Sequence, residues 1–158
     1  MTTISERTQL PHVLLVDDNS GDARLMRMAF KKTDLHAHII VAETAEIAFD
    51  ILRREGEYAD TAHPDLILVD VNLPGINGPA FLKVIKADPI LRLIPALVFS
   101  SSNAESDLNE SYRHYANGFI TKPFSFDDYI DVAKHIVDYW FQFVQTPKVE
   151  MPATNDPA

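Results

Sequence analysis

A chain of 158 residues, 46% hydrophobic and 23% charged, has the composition of one globular domain around a single core. Its formal net charge of -9 disfavours nonspecific binding to nucleic acid or to an anionic membrane, both of which need a basic surface. With no cysteine in the chain, disulfides, thiolate metal sites and cysteine nucleophiles are excluded.

Residues 1–11 are polar, read as a flexible lead, and lack the apolar segment of a signal peptide. No apolar run approaches the roughly 18 residues of a membrane span, so a soluble cytoplasmic protein is expected. Val13-Leu14-Leu15-Val16 is the first strand and closes on Asp17-Asp18. Ser20 is a capping residue for a helix whose apolar positions are Leu25, Met26, Ala29 and Phe30. A short strand follows over His38 to Ala42. Thr44 then caps a helix with Ala45, Ala48, Ile51 and Leu52 on one face, ending at Gly56.

After a polar loop, Leu66-Ile67-Leu68-Val69 runs unbroken into Asp70, as a strand buried on both faces of a parallel sheet does. Pro74, Gly75 and Asn77-Gly78 are turn residues, and Pro79 opens a helix carrying Phe81, Leu82, Val84 and Ile85. Pro95 to Phe99 is a fourth strand, ending in Ser100-Ser101-Ser102. Segment 104–116 has helical spacing in Leu108, Tyr112 and Tyr115 but few apolar anchors, so a weakly held helix is expected. Phe119-Ile120-Thr121 is a fifth strand leading into Lys122-Pro123, and Phe126 to about Val144 is a strongly apolar helix. Five strands alternating with five helices make an α/β, doubly wound, five-stranded parallel sheet over residues 12–144, followed by a Pro-rich tail over 145–158.

In such a sheet the carboxyl ends of the strands share one edge, where ligands bind. That edge collects Asp17, Asp18, Asp70, Ser100 and Lys122. Carboxylates held this close repel, so either one keeps a proton or a cation neutralises them. Oxygen ligands alone suit a hard ion such as Mg²⁺, which takes one or two carboxylates with waters and a phosphate oxygen. A lysine and a hydroxyl facing the same spot supply a charge and a donor to a phosphoryl group, and a carboxylate is a competent nucleophile for one. Taken singly, the acids read as solvated caps, Ser100 as a loop residue and Lys122 as a surface charge. Four strand ends carrying them together point to a site.

The set Val16-Asp17-Asp18, Asp70 with Leu73-Pro74 and Gly78, Ser100, and Lys122-Pro123 resembles the receiver domain of two-component response regulators, including the spacings of 30 and 52 residues from Asp70. The resemblance implies the flavodoxin-like receiver fold with strand order 2-1-3-4-5. It implies that Asp70 accepts a phosphoryl group from a sensor histidine kinase, with Mg²⁺ as cofactor. Asp18 and Asp70 would ligate the ion, Asp17 would act through water, and the Asn72 backbone carbonyl would complete the protein ligands. Lys122 would contact the phosphoryl oxygens, and Ser100 and Phe119 would be the switch pair. Asn77 stands where many receivers carry Asp, and Ser101 where a small residue is usual. Within the family, Asn19-Ser20-Gly21-Asp22, Gly56-Glu57-Tyr58 and Tyr139-Trp140 resemble the small regulators that serve bacterial phytochromes, implying a signalling protein rather than an enzyme, without a DNA-binding output domain.

The alternatives fare worse. A haloacid-dehalogenase-like phosphatase needs a second Asp two residues after the nucleophile as proton donor, where this chain has Asn72. A flavodoxin-like FMN site would put Asp17 and Asp18 against the phosphate. An inactive pseudo-receiver scaffold would lack one of the key residues, and all are present. The last helix carries two apolar stripes: Phe126, Tyr129, Ile130, Ala133, Val137, Trp140, Phe141 and Val144, and beside it Val132, Ile136, Tyr139 and Phe143, an arc of roughly 200°. Docking on a sheet uses about half of that, so a homodimer is expected through Val132, Ile136, Tyr139, Trp140 and Phe143, with arms from Gln145 onward reaching the second subunit.

Overall fold

A computed structural model describes residues 10–149. Its strands are β1 (His12–Val16), β2 (His38–Ala42), β3 (Leu66–Val69), β4 (Ala96–Ser100) and β5 (Gly118–Thr121). They pair in parallel in the order β2-β1-β3-β4-β5. The helices are α1 (Ser20–Phe30), α2 (Ala45–Arg53), α3 (Gly78–Ala87), α4 (Glu105–Arg113) and α5 (Phe126–Ile136). The apolar runs of β1, β3 and β4 are buried on both faces because each face carries a helical layer. Leu14, Val16, Ile67, Val69 and Val98 pack toward α2 and α3, whereas Val13, Leu15, Leu66, Leu68 and Phe99 pack toward α1 and α5. No helix among the described residues is long and apolar enough to cross a membrane.

Several local expectations are corrected. Asn19, not Ser20, caps α1: its side chain accepts from the Asp22 amide, because the chain is still extended at Asn19 and already helical at Ser20. Helix α2 stops before Gly56. Arg54 takes the left-handed conformation (φ 55°) and returns its N–H to Asp50 and Ile51, and Gly56 opens a separate 3-10 turn over Gly56–Tyr58. Val84 faces outward, since Phe81, Leu82 and Ile85 alone fill the α3 contact.

The weakly held helix is α4. Its only buried residue is Ser111, its N-cap Ala104 offers no side-chain bond, and Leu108, Tyr112 and Tyr115 all stand exposed.

The last helix is not one α-helix. From Val137 to Phe143 it widens to a π-helix, closed by the Val144 amide bonding to the Tyr139 carbonyl. The buried positions are Tyr129, Ala133, Ile136, Val137 and Phe141. Ile136 is therefore not available to a second subunit: at 2% exposure it packs in its own core beside Ala133 and Val137, so the buried face takes in one residue of the second stripe. Beyond the helix, Val149 packs against the α2–α3 layer of its own chain, so up to that residue the expected arm stays on the same molecule. Residues 1–9 of the lead and 150–158 of the tail lie outside the described residues.

Candidate functional site

Main-chain bonding carries the sheet one step past its strands. The Asp17 amide donates to Ala42, the Asp70 amide to Val16 and the Lys122 amide to Ser100, which fixes the three backbones side by side at the carboxyl edge. The Asp70 side chain is buried, with the residue 5% exposed. Ser100 Oγ donates to Asp70 Oδ1 at 2.7 Å, and the Asn72 amide donates to the same oxygen at 3.1 Å. Lys122 Nζ donates to Asp70 Oδ2 at 2.7 Å. Each oxygen of Asp70 thus has a strong donor.

Lys122 is buried and central. Its ammonium also donates to Asp22 Oδ2 at 2.8 Å and lies 2.8 Å from Asp17 Oδ2, the latter off the line of a hydrogen bond. Burial works against its charge, but the carboxylates of Asp17, Asp22 and Asp70 around it prevail and hold it above the ordinary lysine range. For Asp17 the balance goes the other way: burial pushes its carboxyl up, despite Lys122 and the Asn19 amide that donates to Oδ1 at 2.9 Å. Three carboxylates around one ammonium leave negative charge in excess.

Asp17, Asp70, Ser100 and Lys122 are therefore brought together as expected. Asp18 is not part of that cluster. It is exposed and lines, with Asn72, an open cleft of about 880 Å³ that continues past Lys83 to Asp107, Glu110 and His114. Phe119 is half-buried on β5 against the α2–α3 core, paired in register with Val98. Among the described residues no three acidic, His or Cys side chains are arranged to hold a metal by themselves, because Lys122 sits between Asp17 and Asp70. The donors nonetheless fit a hard cation. All are oxygens, Asp17 Oδ2 is buried without a well-aligned partner, and Mg²⁺ asks for only one or two carboxylates.

Sequence reasoning gave no role to Asp22, Tyr129, Ser102 or Asp107. Asp22 lies in the first turn of α1, four residues after Asp18, and that nearness to the acidic pair was the available signal. Tyr129 was legible only as an apolar helix position, yet its phenol lies near enough to Asp22 to feel that charge. Ser102 donates its amide to Ser100 Oγ (3.3 Å) and its hydroxyl to Asp107 (2.5 Å), which ties the β4 end to the first turn of α4.

Comparison with known proteins bears on all of this. The family model of the response regulator receiver domain matches residues 13–134. The response regulator Rcp1 of Synechocystis sp. is 32% identical over 145 residues, spanning 91% of this chain and 99% of that protein. Among solved structures, the phosphorylated cyanobacterial phytochrome response regulator RcpA superposes with a TM-score of 0.83 at 35% identity, covering 89% of this chain and 100% of that one. The Mn²⁺-bound form of Rcp1 superposes with a TM-score of 0.79 at 32% identity, covering 87% and 99%.

Proposed function

The chain belongs to the response regulator receiver domain family, and from that premise we propose that it is a signalling switch whose Asp70 accepts a phosphoryl group from a sensor histidine kinase. The observation that carries this reading is the buried Asp70 carboxylate with Ser100 on one oxygen and Lys122 on the other. In the transfer, the phosphorus–nitrogen bond of a phosphohistidine breaks as an Asp70 oxygen–phosphorus bond forms. Lys122 and Ser100 offer their donors to the transferred group. Asp18, Asp70 and the Asn72 carbonyl would hold Mg²⁺, with Asp17 acting through water; the ion offsets the excess negative charge of the edge. The Mn²⁺ form of Rcp1 supports a divalent site, and the phytochrome regulators among the relatives support a phytochrome as the kinase. The protein works in the cytoplasm through residues 12–144, and loses its phosphoryl group by hydrolysis at the same site.

Switching runs through Ser100 and Phe119. When the hydroxyl turns to a phosphoryl oxygen, the half-buried ring moves into the space it leaves, and α4, held by little apolar contact, follows. The test is intact mass after incubation with acetyl phosphate and Mg²⁺. Wild type gains one phosphoryl group, Asp70→Asn gains none, and hydrogen exchange in residues 100–118 changes only in the wild type. A phosphorylated Asp70→Asn protein would overturn the assignment, and unchanged exchange in 100–118 would overturn the switch.

We also assign a homodimer contact to the outer face of the last helix, through Val132, Tyr139, Trp140 and Phe143. Tyr139 and Phe143 are 50% and 70% exposed and stack at 5.9 Å, and they continue the face begun by the half-buried Val132. Aromatic surface of this kind is favoured at interface cores. Light scattering at micromolar concentration should give the mass of two chains for the wild type and one for a Tyr139→Asp, Phe143→Asp variant. A monomeric wild type or a dimeric variant would refute the contact.

A further inference from the structure

We propose that Asp22 is a positioning residue that orients the Lys122 ammonium toward the acceptor oxygen, and that Tyr129 on α5 holds Asp22 in place. The inference rests on the reading of Asp70 as phosphoryl acceptor. Lys122 is a point charge on a flexible four-carbon stem, so where its donors aim depends on what grips it. Two aligned hydrogen bonds do so, to Asp22 Oδ2 and to Asp70 Oδ2, while the contact with Asp17 is off line. Asp70 is the group that reacts, and Asp17 is the acid that a bound cation would draw on. Asp22 is then the one carboxylate in the cluster that belongs to neither, and its bond alone keeps the ammonium aimed while the other two change.

Asp22 is itself fixed. Its amide is capped by Asn19 Oδ1 at 3.0 Å, and its carboxylate lies near the Tyr129 phenol, which feels its charge. Tyr129 is buried, with its ring edge-on to Phe99 at 5.8 Å. Burial, together with the nearby Asp22 charge, pushes its phenol up to about 12, so it stays a donor at neutral pH.

The experiment is a double-mutant cycle in the full chain, with the rate of Asp70 phosphorylation by acetyl phosphate in Mg²⁺ read by intact mass. Asp22→Asn should slow wild type about tenfold, equal to about 1.4 kcal/mol. In a Lys122→Met background the same substitution should change nothing further, because a residue acting through Lys122 has no effect without it. Tyr129→Phe should slow the wild type by about twofold to threefold, again only with Lys122 present; this milder variant decides the matter should Asp22→Asn not fold. A wild-type rate in both single variants, or equal slowing in both backgrounds, overturns the inference. If Lys122→Met itself reacts at the wild-type rate, or Asp70→Asn still accepts the group, the underlying reading falls and the inference with it.

Discussion

Gly78→Ala is expected to destabilise the protein by about 3 kcal/mol and to slow phosphorylation by about a hundredfold, although it adds only one methyl group. Gly78 opens α3 and donates its amide to the Val71 carbonyl, so the helix starts directly against the chain that follows the acceptor. A Cβ there would fall within 2.9 Å of Val71 Cα and 3.0 Å of the Asp70 carbonyl carbon, and closer still to the Asp70 carbonyl oxygen. These are backbone atoms and cannot rotate aside. Either α3 lifts from the sheet or the Asp70 main chain is pushed, and a displacement of about an ångström at a reacting group costs on the order of a hundredfold in rate. Urea unfolding and the acetyl phosphate rate measure the two effects. A variant within about 1 kcal/mol of wild type would show that the start of α3 slides off Asp70 freely.

Lys122→Met is expected to cost about 3–5 kcal/mol in EDTA, the usual penalty for removing one partner of a buried ion pair. Asp17, Asp22 and Asp70 all contact the ammonium, and the first and last of these are buried. Without it, the buried pair repel in a poorly solvated edge and the Asp17 carboxyl loses the charge that held it down. Two consequences separate this from lost packing. Saturating Mg²⁺ should recover much of the loss, since an ion that binds only the folded state at a hundredfold excess over its Kd stabilises by about 2.7 kcal/mol. Stability should also rise as pH falls below neutral: groups whose folded pKa is raised, as that of Asp17 already is, bind protons more readily folded than unfolded. Thermal melts with EDTA or MgCl₂, at pH 7 and pH 5.5, give the four values needed. A melting point insensitive to both Mg²⁺ and pH would mean that the lysine fills space rather than balances charge.

The parts of this molecule that were legible in its sequence are those written by local pattern. Val13 to Val16, Leu66 to Val69 and Ala96 to Ser100 are short apolar runs cut off by polar residues, and a parallel sheet turns such runs into a common edge without further information. That Asp70, Lys122 and Ser100 would meet at that edge followed from where the runs stop. Asp22 did not, because an acid in the first turn of a helix already has an ordinary reason to be there, the helix dipole. The choice of Asn19 over Ser20 as cap was hidden too: both are good capping types, and the ψ of one residue decided between them. The place of Ile136 on the last helix was misjudged for a different reason. An arc of apolar residues about 200° wide fits the sheet at several rotations, and Ile136 was assigned by assuming one of them. Which rotation wins depends on what α1 offers in return, and that is a tertiary matter.

The π-helical stretch from Val137 to Phe143 sets the azimuth of everything after it. With bonds that span five residues, each turn takes in one more side chain, and successive side chains advance by less than 100°. Continued as an α-helix, Trp140 would lie nearer the middle of the buried face than Phe141; in the wider helix Phe141 is buried and Trp140 moves to the margin, with Tyr139 and Phe143 turned to solvent. The phase of the outward aromatics is thus uncoupled from the phase of the inward ones. A lineage that loses or gains a single residue in this stretch would rotate its exposed aromatics to a new bearing without altering the packing of Tyr129, Ala133 and Ile136 beneath α1. Insertions and deletions, rather than substitutions, are the changes by which such a protein would acquire a different pairing geometry while keeping the same chemistry at the opposite end of the sheet.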